Sequence, residues 1–141
     1  MDKIVIYTDG GARGNPGPAG IGVYVVNLKA DKVLQQFGKT IGNATNNMAE
    51  YLAVVHGLRS VKEKFGKKTK DMEFELKIDS ELVKKQLTSE YQIKDAGLIP
   101  YFIEIHNLRV SNFPNLTITH IPRNQNKEAD RLVNEALDGK L

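Results

Sequence analysis

Residues 3–28 read KIVIYTDGGARGNPGPAGIGVYVVNL. An apolar, β-branched run at 3–8 climbs to one acid, Asp9, and then breaks into glycine and proline. The run predicts a central strand. The four glycines and two prolines of 10–19 predict a turn. IGVYVVNL, 21–28, predicts a second strand, close-coupled through Ala30 and Asp31 to a third, VLQQFGKTI, at 33–41. Strands joined this tightly form an antiparallel meander. A strand of buried character that ends on a charge implies that other groups meet that charge.

After the meander the hydrophobic period changes. Met48, Leu52, Val55, Leu58 and Val61 recur at helical spacing within 46–65. Thr45 or Asn46 suits the N-cap, and Gly66 the stop. EFELKID, 73–79, returns to strand, and SELVKKQL, 80–87, predicts a short helix capped by Ser80. Residues 98–110 predict a helix with Pro100 in its first turn. LTITHI, 116–121, predicts the fifth strand. A last helix spans 126–138, with Ala129, Leu132, Val133, Ala136 and Leu137 on its apolar face. The order βββαβααβα requires right-handed crossovers and parallel pairing after the meander. The expected fold class is α/β: a five-stranded mixed sheet flanked by helices.

A chain of 141 residues with 40% hydrophobic content suits one domain over 1–141. No apolar run approaches the ~20 residues of a membrane span, so no membrane partner is expected. MDKIVIYTDGG does not read as a secretory signal. The absence of cysteine excludes disulfides, thiolate zinc sites and a cysteine nucleophile. A reducing, cytoplasmic setting is the default expectation. Net charge is +3. If several acids gather in one site, the remaining surface is basic, as in a polyanion binder.

Four acids are placed to gather. Asp9 ends the first strand and Asp79 the fourth. If those strands are parallel neighbours, both acids lie at the sheet edge where open α/β folds bind ligands. Glu50 and Asp130 sit in the first turns of the long and last helices. Singly, each acid reads equally well as a turn cap or a macrodipole partner. Together, adjacent carboxylates raise one another's pKa unless a cation holds them. Hard divalent ions with oxygen ligands are the usual solution. Magnesium is expected, as two ions.

Four motifs resemble those of the type 1 ribonucleases H. TDGGARGNPGPAG resembles the family's TDG-x₃-GNPG opening, and TNNMAE its TNN-x-x-E helix start. IDSELV resembles the strand end that carries the third acid, and NKEADRLV the N-x-x-x-D-x-L helix that carries the fourth. The resemblance implies a ribonuclease H-like fold and hydrolysis of the RNA strand of RNA/DNA hybrids, leaving a 5′-phosphate and a 3′-hydroxyl. It implies that Asp9, Glu50, Asp79 and Asp130 are the catalytic, metal-binding acids, holding two Mg2+ for which Mn2+ can substitute. Glu50 falls where the family contacts the 2′-hydroxyl beside the scissile phosphate. Asn15, Asn46 and Asn47 resemble the family's readers of ribose 2′-hydroxyls, and Asn15 with Thr45 the holders of a DNA-strand phosphate. The alternative for these four is turn and cap chemistry. The implied partner is an RNA/DNA hybrid, met by a monomer.

Two departures stand out. Many family members carry a histidine in a mobile loop before the last helix. Here the stretch is HIPRNQNKEAD, and His120 falls on the fifth strand as a packed or edge residue. Arg123 is the candidate for an auxiliary cationic role. Some members also carry a basic, tryptophan-rich protrusion. The matching stretch, TSEYQIKDAGLIP, is short and has no tryptophan. Lys62, Lys64, Lys67, Lys68, Lys70, Lys84 and Lys85 are then the candidates for phosphate contacts, with a solvated face as the alternative. Rival readings are a DNA-directed nuclease on the same fold and a non-catalytic hybrid-binding module.

Overall fold

The computed structural model describes residues 3–141. The first two residues of the expected domain, which also begin the stretch MDKIVIYTDGG, lie outside them. Five strands form one sheet: β1 (Lys3–Ala12), β2 (Gly17–Asn27), β3 (Lys32–Ala44), β4 (Glu73–Ile78) and β5 (Leu116–His120). The order is β3-β2-β1-β4-β5. β1 to β3 pair antiparallel, while β4 and β5 run parallel to β1. Among the described residues there are four α-helices, α1 (Asn46–Phe65), α2 (Glu81–Leu87), α3 (Ile99–Asn112) and α4 (Lys127–Leu137), joined by short 3-10 segments. No helix among the described residues is long and apolar enough to cross a membrane.

The first hairpin is longer than its sequence suggests. Residues 10–12 and 17–19 pair across the strands, Gly10 with Ile21, Gly11 with Gly20 and Ala12 with Ala19. Only 13–16 remain as the turn, closed by the Arg13 N–H donating to the Pro18 carbonyl at 2.8 Å. Glycine and proline mark turns statistically, but extended glycines also pair in a ladder when a neighbouring element must come close. β3 likewise runs past 41. Its pairing with β2 shifts register between Ala19 and Gly20, and Gly42 just beyond has φ +80. Helix starts match the cap chemistry: Thr45 Oγ1 accepts from the Met48 N–H at 3.1 Å, and Ser80 Oγ from the Val83 N–H at 3.2 Å.

Alternation along β2 places α1 and α4 on opposite faces. A Cβ on Gly57 of α1 would contact Val23, whereas one on the adjacent Gly22 would strike Ala129 of α4. α3 packs on α1, and the main core lies between them and the sheet. Tyr51, Leu58, Phe74, Leu76 and Ile105 are buried there, and Phe74 meets Phe113 edge to face at 5.1 Å.

Candidate active site

Parallel pairing of β1 and β4 runs in register up to Tyr7 and Lys77. Two residues further on, both chains deliver an aspartate to the same edge. Asp9 lies within β1, and Asp79 follows β4 directly. The site then depends on how closely two helices approach that edge, and two glycines decide it. A Cβ on Gly10 would lie 2.2 Å from the backbone of Ala49, so α1 descends onto β1 only because residue 10 has none. That approach brings the Gly10 N–H to Glu50 Oε1 at 3.3 Å. Gly22, the register partner of Asp9, plays the same part on the other face, where a Cβ would lie 2.1 Å from the Ala129 carbonyl oxygen. α4 therefore reaches the sheet beside Asp9 and carries Asp130 with it.

Asp9, Glu50 and Asp79 each offer a carboxylate oxygen within 4.8 Å of the others. Asp130 lines the same cleft and interacts with Asp9. Asp9 and Glu50 are buried, at 8% and 7% exposure. Burial, joined by the charges of Asp79 and Asp130, pushes the Asp9 carboxyl up to about 7. Burial, then the neighbouring Asp9, pushes Glu50 well above the usual carboxylate range. Glu50 Oε2 is buried with no hydrogen-bond partner. A buried oxygen without a donor, beside two more carboxylates, fits a hard divalent cation: it supplies the charge and the coordination that these oxygens lack.

The polar residues around the acids interlock. Asn15 Oδ1 accepts from the Asn46 N–H at 3.0 Å, and Asn46 Oδ1 from the Ala12 N–H at 2.9 Å. With Thr45 capping α1, the turn-and-cap reading is realised for these three residues. Their acceptor oxygens are engaged, while the amide and hydroxyl hydrogens stay free for a ligand's oxygens. Asn47 is exposed at the cleft. Arg123 is exposed on a 3-10 turn at the cleft rim (Arg123–Gln125). His120 is an exposed residue of the edge strand β5, not a loop residue. Sequence reasoning gave no role to Gly22, or to Asn126, the first residue of NKEADRLV. A lone glycine within the apolar run of β2 was the signal for the first. An asparagine at a helix start reads as a cap, which hid the second.

Lys62, Lys64, Lys67, Lys68 and Lys70 lie at or beyond the far end of α1 from Glu50. Lys84 pairs with Glu90 at 2.9 Å, and Lys85 with Glu81 at 2.8 Å. None of the seven lysines is among the residues that line the acid cleft.

A sequence profile of the reverse transcriptase-like family matches residues 7–136. Ribonuclease HI of Halobacterium salinarum is 40% identical over 136 residues, covering 96% of this chain and 65% of that protein. The chain thus spans less than two thirds of that curated relative. LC11-RNase H1, isolated from compost by a metagenomic approach, superposes with a TM-score of 0.92 at 47% identity, covering 99% of this chain and 98% of that one. The same protein solved in complex with an RNA/DNA hybrid gives 0.91 at 46% identity, covering 96% and 97%. With the motifs in chain order, the same sheet and near-complete overlap with solved members, this chain belongs to the ribonuclease H1 family.

Proposed function

We propose that this protein is a magnesium-dependent endonuclease, a single ribonuclease H domain over 1–141, that hydrolyses the RNA strand of RNA/DNA hybrids to 5′-phosphate and 3′-hydroxyl ends. The observation that carries the reading is the convergence of Asp9, Glu50 and Asp79, with one buried Glu50 oxygen left without a donor. Asp9, Glu50, Asp79 and Asp130 would hold two Mg2+, or Mn2+ in their place. When bound, the ions supply Lewis acidity for the attacking water and for the leaving 3′-oxygen of an in-line displacement. Asp9 and Glu50, buried and raised in pKa, give up their protons as the site fills. Glu50 faces the 2′-hydroxyl next to the scissile phosphate.

The asparagines give the preference for RNA. Donors left free on Asn15, Asn46 and Asn47 suit ribose 2′-hydroxyls, which distinguish RNA from DNA. Asn15 and the Thr45 hydroxyl suit a DNA-strand phosphate. Arg123 places a cation at the rim, near the leaving group. All four acids come from one chain, which supports action as a monomer. The lack of cysteine agrees with a cytoplasmic setting. The test is cleavage of labelled RNA/DNA hybrid, double-stranded DNA and single-stranded RNA, with and without magnesium. Hybrid alone should be cut, and only with the metal. Cleavage of duplex DNA would favour a DNA-directed nuclease, and binding without cleavage a hybrid-binding module.

A further inference from the structure

Asn126 is 1% exposed and stands immediately before α4, where an asparagine ordinarily caps the helix by accepting an N–H. Its side chain makes no such bond. Instead Nδ2 donates twice, to the Thr8 carbonyl at 3.0 Å and to Asp79 Oδ2 at 3.1 Å. Its own carbonyl accepts from the Asp130 N–H at 3.1 Å. One residue therefore holds the chain just before Asp9, the carboxylate of Asp79 and the backbone of Asp130. Its Oδ1 is buried with no partner. Reversing the amide would aim that oxygen at a carbonyl and a carboxylate, two acceptors, so the donor orientation is imposed. Leaving a buried carbonyl unpaired is destabilising. A residue kept only to start a helix would spend its oxygen on the helix and avoid that cost.

We propose that Asn126 is the positioning residue of the acid cluster. It fixes the rotamer of Asp79 and clamps the first turn of α4, with Asp130, against the ends of β1 and β4. The cluster is then assembled before the cation arrives. The inference rests on the metal-site reading above. The residue type follows from the geometry: two adjacent acceptors, one anionic, require two donors on one uncharged head. Aspartate has the same shape but would set another negative charge against Asp79. Alanine would leave the Thr8 carbonyl unpaired and Asp79 free to rotate.

The test is Mn2+ binding to the nucleic-acid-free protein, by titration calorimetry or water-proton relaxation, for the wild type and for Asn126→Ala and Asn126→Asp. Losing a group that orients a metal ligand typically costs 10–100-fold in affinity. Asn126→Ala should weaken Mn2+ binding by at least about tenfold on that scale. Asn126→Asp should do no better, because shape alone is not what the site uses. With hybrid, kcat should fall while KM changes by less than about twofold, since Asn126 lies beneath the acids and not beside the asparagines. Asn126→Leu, close in size and without a donor, replaces the alanine variant if that one does not fold. A folded Ala or Leu variant whose Mn2+ isotherm superimposes on the wild type's would overturn the positioning role. A wild-type protein that binds no Mn2+ would instead overturn the metal site itself.

Discussion

Helix α1 begins beside the acid cleft with Thr45, Asn46, Asn47 and Glu50, and ends with Lys62 and Lys64, followed by Lys67, Lys68 and Lys70. At the first end the polar groups answer other groups: Thr45 caps the helix, Asn46 ties to β1, and Glu50 accepts from Gly10. At the second end the five lysines are exposed. Lys62 and Lys64 in the last turn suit the negative end of the helix dipole, a sufficient reason for their presence. At 1.5 Å per residue, Glu50 and Lys64 stand about 21 Å apart along the axis, beyond a Debye length of about 8 Å. Charge of either sign does chemistry where the fold converges it. Lys84 and Lys85 make the same point from another helix, since their ion pairs with Glu90 and Glu81 are solvent-screened and add little to stability.

The largest effect should come from the converged end. Asp9→Asn should abolish hybrid cleavage, losing more than the roughly 10–100-fold typical of removing a metal ligand's outer partner. The variant should keep its circular dichroism spectrum, and its metal-free form should melt no earlier than the wild type, because a poorly solvated charge is gone. Near wild-type turnover would show that the acids converge without catalysing.

The same crowding predicts how the metal-free wild type responds to pH. The Asp9 carboxyl, raised from an ordinary 3.8 to about 7, binds its proton more tightly folded than unfolded. Its contribution to stability is full below about pH 4 and is lost as pH rises through 7, at about 1.4 kcal/mol for each pH unit between those two values. Glu50 is raised as well and acts in the same direction. Thermal melts in chelator should therefore fall between pH 5 and pH 8. Magnesium at pH 8 should restore much of the loss, and Asp9→Asn should flatten the curve. A flat wild-type curve in chelator would mean that the acids are not buried together.

A smaller effect separates ligand contact from structural support within the asparagines. Asn46→Ala loses the bond from the Ala12 N–H, so about 1 kcal/mol of stability should go with any loss of activity. Asn47→Ala should lower hybrid cleavage by a comparable ~1 kcal/mol, roughly fivefold, with its melting temperature unchanged. An Asn47→Ala protein that melts early but keeps full activity per folded molecule would assign this residue to structure.

The smallest effect should come from the far end of α1. Each phosphate neutralised on duplex DNA contributes about 0.9 to the slope of log affinity against log salt. Replacing Lys67, Lys68 and Lys70 with glutamine should leave the slope of hybrid binding, measured in calcium, nearly as it was. The wild-type slope should itself be shallow, because the 88–98 stretch offers Lys94 as its one basic side chain. A slope reduced by two or more in the triple variant would place a phosphate track on that end.

Much of the site is legible in the order of residues alone. Asp9 and Asp79 each interrupt an apolar β pattern, and Glu50 and Asp130 each stand early in an amphipathic helix, so periodicity assigns all four to element ends. The βββαβααβα order is legible for the same reason: alternation and helical spacing report which side chains are buried, and that is a local property. Convergence is not local. Asn126 and Thr8 are 118 residues apart, and nothing in either segment states that the amide will donate there and not cap α4. Gly10 reads as part of a turn and Gly22 as one more residue of a strand, yet both act by letting a helix backbone reach the sheet. The extra hairpin pairs and the donor role of Asn126 were decided by strand order and by how closely α1 and α4 approach. Those distances follow from packing across the whole chain, which no window of sequence contains.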